Sequence, residues 1–170
     1  GPGRVECFDF EYERNGTANV FLFVEPLRGW RRLEVTQRRT RIDWAHQIQR
    51  LIDTDYKKAE RITLVMDNLN THGPASLYET FEPAQARRLV EKLEIVHTPK
   101  HGSWLNVAEV ELAALEKQSI GGRVPDRESL SKRTKAWERE RNNAKTRVNW
   151  QFRTADARIK LRRLYPQIQC

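Results

Sequence analysis

The chain has 170 residues, 38% of them hydrophobic and 32% charged, with a formal net charge of +8 and a pI of about 9.8. This length suits one globular domain, and no apolar run reaches the roughly 18 residues of a membrane helix, so we expect no membrane association. The two cysteines, Cys7 and Cys170, form neither a zinc-ligand spacing nor a disulfide framework, which favours a reducing compartment inside the cell.

The positive charge is concentrated at the C-terminal end of the chain. Residues 1–120 contain 17 Lys and Arg against 18 Asp and Glu, whereas residues 121–170 contain 14 against 5, a net charge of +9. One interpretation of this charge is a solvated helical surface without a partner. The asymmetry and the high pI favour a polyanionic partner instead, and nucleic acid is the partner that we predict.

The first part of the chain predicts an antiparallel meander. Residues 8–13 alternate aromatic and acidic side chains, which is the period of a half-buried strand. The Asn15-Gly16 pair that follows is a strong hairpin signal. A return strand is predicted over residues 18–24, and a third strand around 33–35.

The rest of the chain alternates predicted helices and strands. Helices are predicted over residues 40–52, 74–81, 83–93, 105–120, 126–144 and 154–164, and strands over 61–67 and 93–97. The first helix has Thr40 or Asp43 as its cap, and its apolar stripe at helical spacing consists of Ile42, Ala45, Ile48 and Leu51. The order of elements indicates an α/β fold, a mixed sheet with helices on both faces.

Asp67 is a candidate catalytic carboxylate because of its place at the end of a strand. The short apolar run at 62–66 predicts a strand buried on both faces, and Asp67 follows it directly. Open α/β sheets place their active sites at this position. A strand-end Asp also commonly caps the turn that follows it, so the pattern alone leaves both interpretations open.

A second candidate carboxylate lies on the predicted helix over residues 105–120. Glu109 and Glu111 both flank its apolar stripe, and periodicity does not choose between them. Either one, brought to Asp67, would complete a set of hard oxygen ligands suited to Mg²⁺ or Mn²⁺. The alternative is an ordinary solvated glutamate. The four histidines have no zinc-ligand spacing, and we exclude a zinc site.

Two longer motifs contain these residues: Asp-Asn-Leu-Asn-Thr-His at 67–72 and Thr-Pro-Lys-His-Gly-Ser-Trp-Leu-Asn-Val-Ala-Glu at 98–109. With them the chain resembles the DDE transposases of the mariner-like superfamily, in particular their bacterial insertion-sequence branch. Residues 12–19 and 154–166 are similar to that branch as well. The resemblance implies a ribonuclease-H-like fold and metal-dependent cutting and joining of DNA.

The resemblance also implies roles for individual residues. In that family three acidic residues hold two divalent ions, and the second of them falls on Asp67. The third follows an Asn by three positions, which selects Glu109 after Asn106 rather than Glu111. Asp67 and Glu109 are therefore the implied catalytic residues and ligands of Mg²⁺ or Mn²⁺ in a two-metal site.

The family's first Asp lies on a strand upstream of the part that matches residues 11–19. We expect this chain to begin after that strand, so that the first strand of the sheet is missing. Asp9 is the nearest acid, but its position does not match, and we predict that it is not a ligand. The expectation is a single truncated catalytic domain over residues 1–170, inactive alone. A non-catalytic nucleic-acid-binding or structural ribonuclease-H-like module is the alternative.

DNA, as transposon ends and target, is the implied partner. The basic helical segment at about 123–166 is predicted to contact the DNA backbone. The predicted nucleic-acid-binding residues are Lys100, His101, Arg158, Lys160, Arg162 and Arg163. The segment's helices are predicted to pack on the core through Leu130, Trp137, Ile159 and Leu164. From the family we also expect homo-oligomerisation and a bacterial cytoplasmic location at the nucleoid.

Overall fold

The computed structural model of the protein describes residues 16–67, 69, 72–98, 106–149, 156 and 159. Its strands and helices in chain order are β1 Asn19–Glu25, β2 Trp30–Thr36, α1 Arg41–Arg50, β3 Ile62–Met66, α2 Pro74–Thr80, α3 Pro83–Glu91, β4 Leu93–His97, α4 Val107–Leu115 and α5 Arg127–Asn143. Two π-helical turns, Leu51–Asp55 and Glu116–Ile120, extend α1 and α4. The predicted α/β fold with helices flanking the strands is confirmed.

The strands form two sheets. β1 and β2 pair antiparallel, with Phe21 opposite Glu34, and β3 and β4 pair parallel, with Leu64 opposite Ile95. The chain between β3 and β4 contains α2 and α3, as a parallel pair requires a crossover connection. Antiparallel and parallel pairs together make the mixed arrangement expected of a ribonuclease-H-like fold. The predicted first strand of the meander, residues 8–13, lies outside the described residues.

Helix α1 begins with a capping box. The Thr40 hydroxyl accepts the Asp43 N–H at 3.2 Å, and the Asp43 carboxylate accepts the Thr40 N–H at 2.8 Å. Of the two predicted caps, Thr40 is therefore the N-cap, and Asp43 is the third residue of the helix, which completes the capping box. The prediction that Ile42 belongs to the buried apolar stripe of α1 was wrong, because its side chain is 54% exposed. Trp44 is buried instead, because it lies one helical turn before the buried Ile48.

Two cores lie on opposite sides of β1 and β2. The first packs Phe21 of β1 and Met66 of β3 on α1, α2 and α3. The second packs Leu33 of β2 on Leu115 of α4 and Trp137 of α5. Helices α1–α3 thus support both sheets, whereas α4 and α5 form their core with the β1–β2 sheet.

One face of β3 is consequently exposed. Thr63 and Val65 are exposed, and Val65 retains 53% of its accessible surface. The prediction of a strand buried on both faces was therefore wrong. The physical reason is the placement of α4 and α5, whose buried side chains pack with β1 and β2. On the inward face of β3, Met66 is buried and Ile62 and Leu64 are half-buried.

Side chains of α5 close the outer edge of β2. The Asn142 amide bonds both backbone groups of Arg31, accepting its N–H at 2.8 Å and donating to its carbonyl at 2.7 Å. The Glu138 carboxylate accepts the Leu33 N–H at 2.6 Å, and the Lys135 ammonium donates to the Leu33 carbonyl. This edge therefore cannot recruit another strand.

The C-terminal packing prediction is only partly confirmed. Trp137 is buried in the second core, and Leu130 is half-buried. Ile159, however, is 76% exposed, so its predicted role in packing was wrong. The sequence pattern identified an apolar residue of a basic helix, but the pattern does not show what that residue faces. Leu164 lies outside the part of the chain that the structure describes.

Candidate active site

Asp67 lies directly after β3, at the same end of the parallel sheet as Thr98, which follows β4. Its Oδ1 accepts hydrogen bonds from the Thr98 hydroxyl at 3.1 Å and from the Asn106 side-chain amide at 3.2 Å. The turn after β3 is closed by the Asp67 backbone carbonyl, which accepts the Leu69 N–H. The described partners of the carboxylate therefore lie on neighbouring elements: the residue after β4 and the residue that caps α4.

Asn106 connects Asp67 to the start of α4. Its side-chain oxygen accepts the Ala108 N–H at 3.1 Å and caps the helix, while its side-chain nitrogen donates to Asp67. Glu109 is exposed in the first turn of α4, and its N–H donates to the Asn106 carbonyl at 3.0 Å. Residues three apart on a helix share one side of it. The capping contact thus brings the helical turn that carries Glu109 to the end of β3.

Glu111 has a different environment from Glu109. It is only 1% exposed, and its carboxylate lies 2.9 Å from Nε of the fully buried Arg31 and 3.1 Å from Arg141. A buried carboxylate needs such partners because an unpaired charge in the interior is costly. Glu111 therefore belongs to a buried ion pair with Arg31 and Arg141, whereas Glu109 is exposed.

His72 lies between β3 and α2 and packs on aromatic residues of the first core. Its ring stacks on Trp44 with centroids 5.7 Å apart and lies 6.0 Å from the ring of Phe21. Burial lowers the pKa of His72, and the charge of Arg39 lowers it further. Both effects disfavour the protonated form of the imidazole, which lies in a stacked position. Its Nε2 atom is buried without a hydrogen-bond partner among the described residues.

The described side chains at the end of β3 include the type of ligand that a hard divalent cation prefers, but they are too few to form a complete site. Carboxylate oxygens are the ligands that Mg²⁺ and Mn²⁺ prefer. Both hydrogen bonds to Asp67 go to Oδ1, which leaves Oδ2 without such a bond from any described residue. Within the described ranges, however, no group of three His, Cys, Asp or Glu side chains could hold a metal ion.

The other predicted site residues stay predictions. Six predicted contacts to nucleic acid lie outside the described residues: Lys100, His101, Arg158, Lys160, Arg162 and Arg163. Asp9 also lies outside them. No described helix is long and apolar enough to cross a membrane.

Sequence reasoning missed the role of Thr98 and the structural role of Arg31. Thr98 could have been suspected, because it follows β4 as Asp67 follows β3. Arg31 gave no local signal, since its partner Glu111 is 80 residues away.

The model of one protein family matches the chain. It describes a DDE superfamily endonuclease and matches residues 1–131, which is more than half of the 170 residues. The matched part contains both Asp67 and Glu109. Comparison with curated proteins and with solved structures finds no match.

Proposed function

Because the chain belongs to the DDE superfamily of endonucleases, we propose that it is the catalytic domain of a DNA transposase. Its reaction would be metal-dependent cleavage of DNA strands and their transfer to target DNA, in the bacterial insertion-sequence branch of the mariner-like transposases. The observation that carries the proposal is the Asn106–Asp67 contact. It joins the end of β3 to the helical turn that contains Glu109.

In this proposal Asp67 and Glu109 are the ligands of Mg²⁺ or Mn²⁺. When bound, the ions would activate a water or a DNA 3′-hydroxyl and stabilise the leaving oxygen. Thr98 and Asn106 hold one oxygen of Asp67 and so fix the direction of the other. Neither Thr98 nor Asn106 is a ligand in this arrangement. They are positioning residues for the carboxylate.

DNA would bind through its backbone to the basic segment at about 123–166. The net charge of +9 over residues 121–170 supports this, because phosphate contacts depend on charge and not on sequence. Lys100 and His101, which lie between Asp67 and Glu109 in the sequence, would also contact DNA. We further propose homo-oligomerisation on the transposon ends and a location at the bacterial nucleoid, both from the family.

A non-catalytic nucleic-acid-binding or structural module is the second candidate. The observation in its favour is that the described residues bring no third metal-binding side chain to Asp67 and Glu109. Two carboxylates cannot hold two ions in register. We therefore expect the 170-residue chain alone to cleave DNA slowly or not at all.

Mn²⁺ binding and DNA binding separate the two candidates. We expect paramagnetic broadening of amide signals around Asp67 and Glu109 at low Mn²⁺ concentration, and its loss in Asp67→Asn and in Glu109→Gln. Glu116→Gln, an exposed glutamate beyond α4, is the control and should leave the broadening unchanged. Salt-sensitive DNA binding without localised Mn²⁺ binding would favour the second candidate. Robust Mn²⁺-dependent nicking that Asp67→Ala abolishes would show that the chain's own site is complete.

A further inference from the structure

Two arginines in the loop between β2 and α1 differ from the other arginines of the chain up to residue 98. Arg38 and Arg39 are exposed and have no acidic partner among the residues that the structure describes. The other eight described arginines between residues 16 and 98 each form an ion pair with a carboxylate, at N–O distances from 2.5 to 3.6 Å. Arg41, which begins α1, pairs with Glu79. Within the described part of the chain, no carboxylate therefore engages the guanidinium donors of Arg38 and Arg39.

The backbone of this loop is held in place although its arginine side chains are exposed. The Asn19 side-chain amide donates to the Gln37 carbonyl at 3.3 Å, and the Thr36 hydroxyl donates to the Arg38 carbonyl at 2.6 Å. The loop ends at Thr40, which caps α1. Hydrogen bonds thus fix the loop at both ends, which lowers the entropy that is lost when its side chains bind a ligand.

The direction of β2 decides where this loop lies. At the start of β2, the Trp30 ring packs against Tyr56 with centroids 5.3 Å apart, and Tyr56 precedes β3. Near the end of β2, Glu34 pairs with Phe21, whose ring lies 6.0 Å from that of His72, and His72 follows β3. β2 and β3 therefore run in the same direction, and their carboxyl ends lie on the same side of the molecule.

The loop between β2 and α1 consequently leaves its strand on the side where Asp67 follows β3 and Thr98 follows β4. Open α/β sheets bind their ligands outside the carboxyl ends of the strands. The electrostatics agree with this placement, because the charge of Arg39 contributes to the lowered pKa of His72. Two cations without acidic partners in the described residues thus lie on the same side of the molecule as the candidate site.

We propose that Arg38 and Arg39 bind the phosphodiester backbone of a nucleic acid strand that passes the carboxyl ends of β2 and β3 toward Asp67. The identity of the ligand rests on the proposed function. Guanidinium groups donate paired hydrogen bonds that match the geometry of phosphate oxygens. A phosphate that approaches Asp67 and Glu109 meets like charge, and neighbouring cations offset this repulsion. These contacts would be separate from the basic segment at about 123–166.

The exposure of both arginines favours a polymer over a free phosphate. An exposed ion pair with a single small anion contributes little free energy, because water and salt screen it. A nucleic acid gains more, since each neutralised phosphate releases a condensed counterion. Two neighbouring arginines can contact successive phosphates of one strand in this way. The proposed contacts supply affinity and orientation but do not read the base sequence.

A pair of double variants with equal charge tests the proposal on the full 170-residue chain. Arg38→Gln/Arg39→Gln removes the two arginines. Lys57→Gln/Lys58→Gln, the control, removes two exposed lysines that precede β3 and so lie at its opposite end. Both variants lose two positive charges, and both replace exposed side chains.

The first measurement is the affinity for a DNA duplex of about 20 base pairs as a function of salt concentration. Each phosphate contact contributes about 0.9 to the slope of log affinity against log salt. We expect the arginine variant to flatten this slope by about 1.8, for two contacts, and the lysine variant to change it by less than about 0.5. Equal changes in the two variants would show an effect of net charge alone and overturn the proposal.

The second measurement locates the DNA by the NMR signals of the Arg38 and Arg39 side chains and of the Asn106 side-chain amide. We expect the duplex to shift all three in the wild type, and the Asn106 shift to be lost in the arginine variant. Inorganic phosphate at the same phosphate concentration should shift none of them. Equal shifts with inorganic phosphate would indicate an ordinary anion site and overturn the proposal, as would unshifted arginine signals with DNA.

The inference and the proposed function can fail separately, because neither measurement uses a metal or requires cleavage. An arginine-specific change in slope without localised Mn²⁺ binding would support the phosphate site and reject the metal site. Localised Mn²⁺ binding with equal slopes in the two double variants would do the reverse.

Discussion

The two sheets of this protein differ in how completely they are covered. The β1–β2 sheet has helices on both faces, and α5 side chains close its outer edge. The described helices cover the β3–β4 sheet on one face only, and Val65 and Val96 remain 53% and 43% exposed on the other. The candidate site lies at the end of the less covered sheet. The fold thus separates a region that supplies rigidity from a region that leaves carboxylates accessible.

The largest expected effect is on the buried ion pair of the covered half. Arg31→Ala removes the fully buried partner of Glu111 and leaves Arg141 as its described partner, and we expect a loss of about 3–5 kcal/mol in the free energy of unfolding. Glu109→Ala, two residues away on the exposed side of α4, should change it by less than about 0.5 kcal/mol. Urea unfolding measures both. Equal losses would mean that the two glutamates do not differ as the structure indicates.

Core truncation should show the same contrast between strands. Leu33→Ala in β2 removes a fully buried side chain, and we expect a loss of about 2–4 kcal/mol from lost burial and the cavity left behind. Val65→Ala in β3 affects a side chain that is already half in solvent, and the expected loss is below about 1 kcal/mol. Thermal or urea unfolding distinguishes them. A large loss for Val65→Ala would show that something covers the outer face of β3.

The two helix caps offer a matched pair across the two regions. Asn106 caps α4 and Asp126 caps α5, each by accepting a backbone N–H. We expect either alanine variant to lose about 1 kcal/mol in unfolding free energy. Only Asn106→Ala should also weaken Mn²⁺ binding, because it frees the Asp67 carboxylate. Identical Mn²⁺ titrations for the two variants would remove Asn106 from its positioning role.

The smallest expected effect is a pH dependence of stability from His72. Burial lowers its folded pKa below the unfolded value of 6.5, so the unfolded chain binds the proton more readily. His72 therefore contributes its full stabilisation above about pH 6.5. That contribution is lost as the pH falls from there through the folded pKa. His72→Gln should flatten the decline between pH 6.5 and the acid limit in urea unfolding series; an unchanged decline would assign it to other groups.

Local elements were predictable because their signals lie within a few residues. The capping box of Thr40 and Asp43, and the prolines at the first turns of α2 and α3, set helix starts that the structure confirms. The turn residue Gly121 ends the helical run after α4 close to where the pattern predicted. Side-chain contacts over four residues or fewer suffice for these assignments.

Candidate site residues were only partly predictable. The apolar run at 62–66 predicted that Asp67 follows a strand. The alternation of strands and helices predicted that this strand has a parallel neighbour. The choice of Glu109 over Glu111 needed a family resemblance, since both residues flank the apolar stripe of the predicted helix. The pairing of Asp67 with Asn106 spans 39 residues and has no local signature.

By itself, the sequence determined the helices, the strands and the strand-end place of Asp67, because these depend on neighbours along the chain. The tertiary structure alone decided which side chains are buried. It exposed Ile42, Val65 and Ile159, although each is apolar, and it buried Glu111 against Arg31. Burial depends on which remote segments pack on a residue, and periodicity carries no information about those segments.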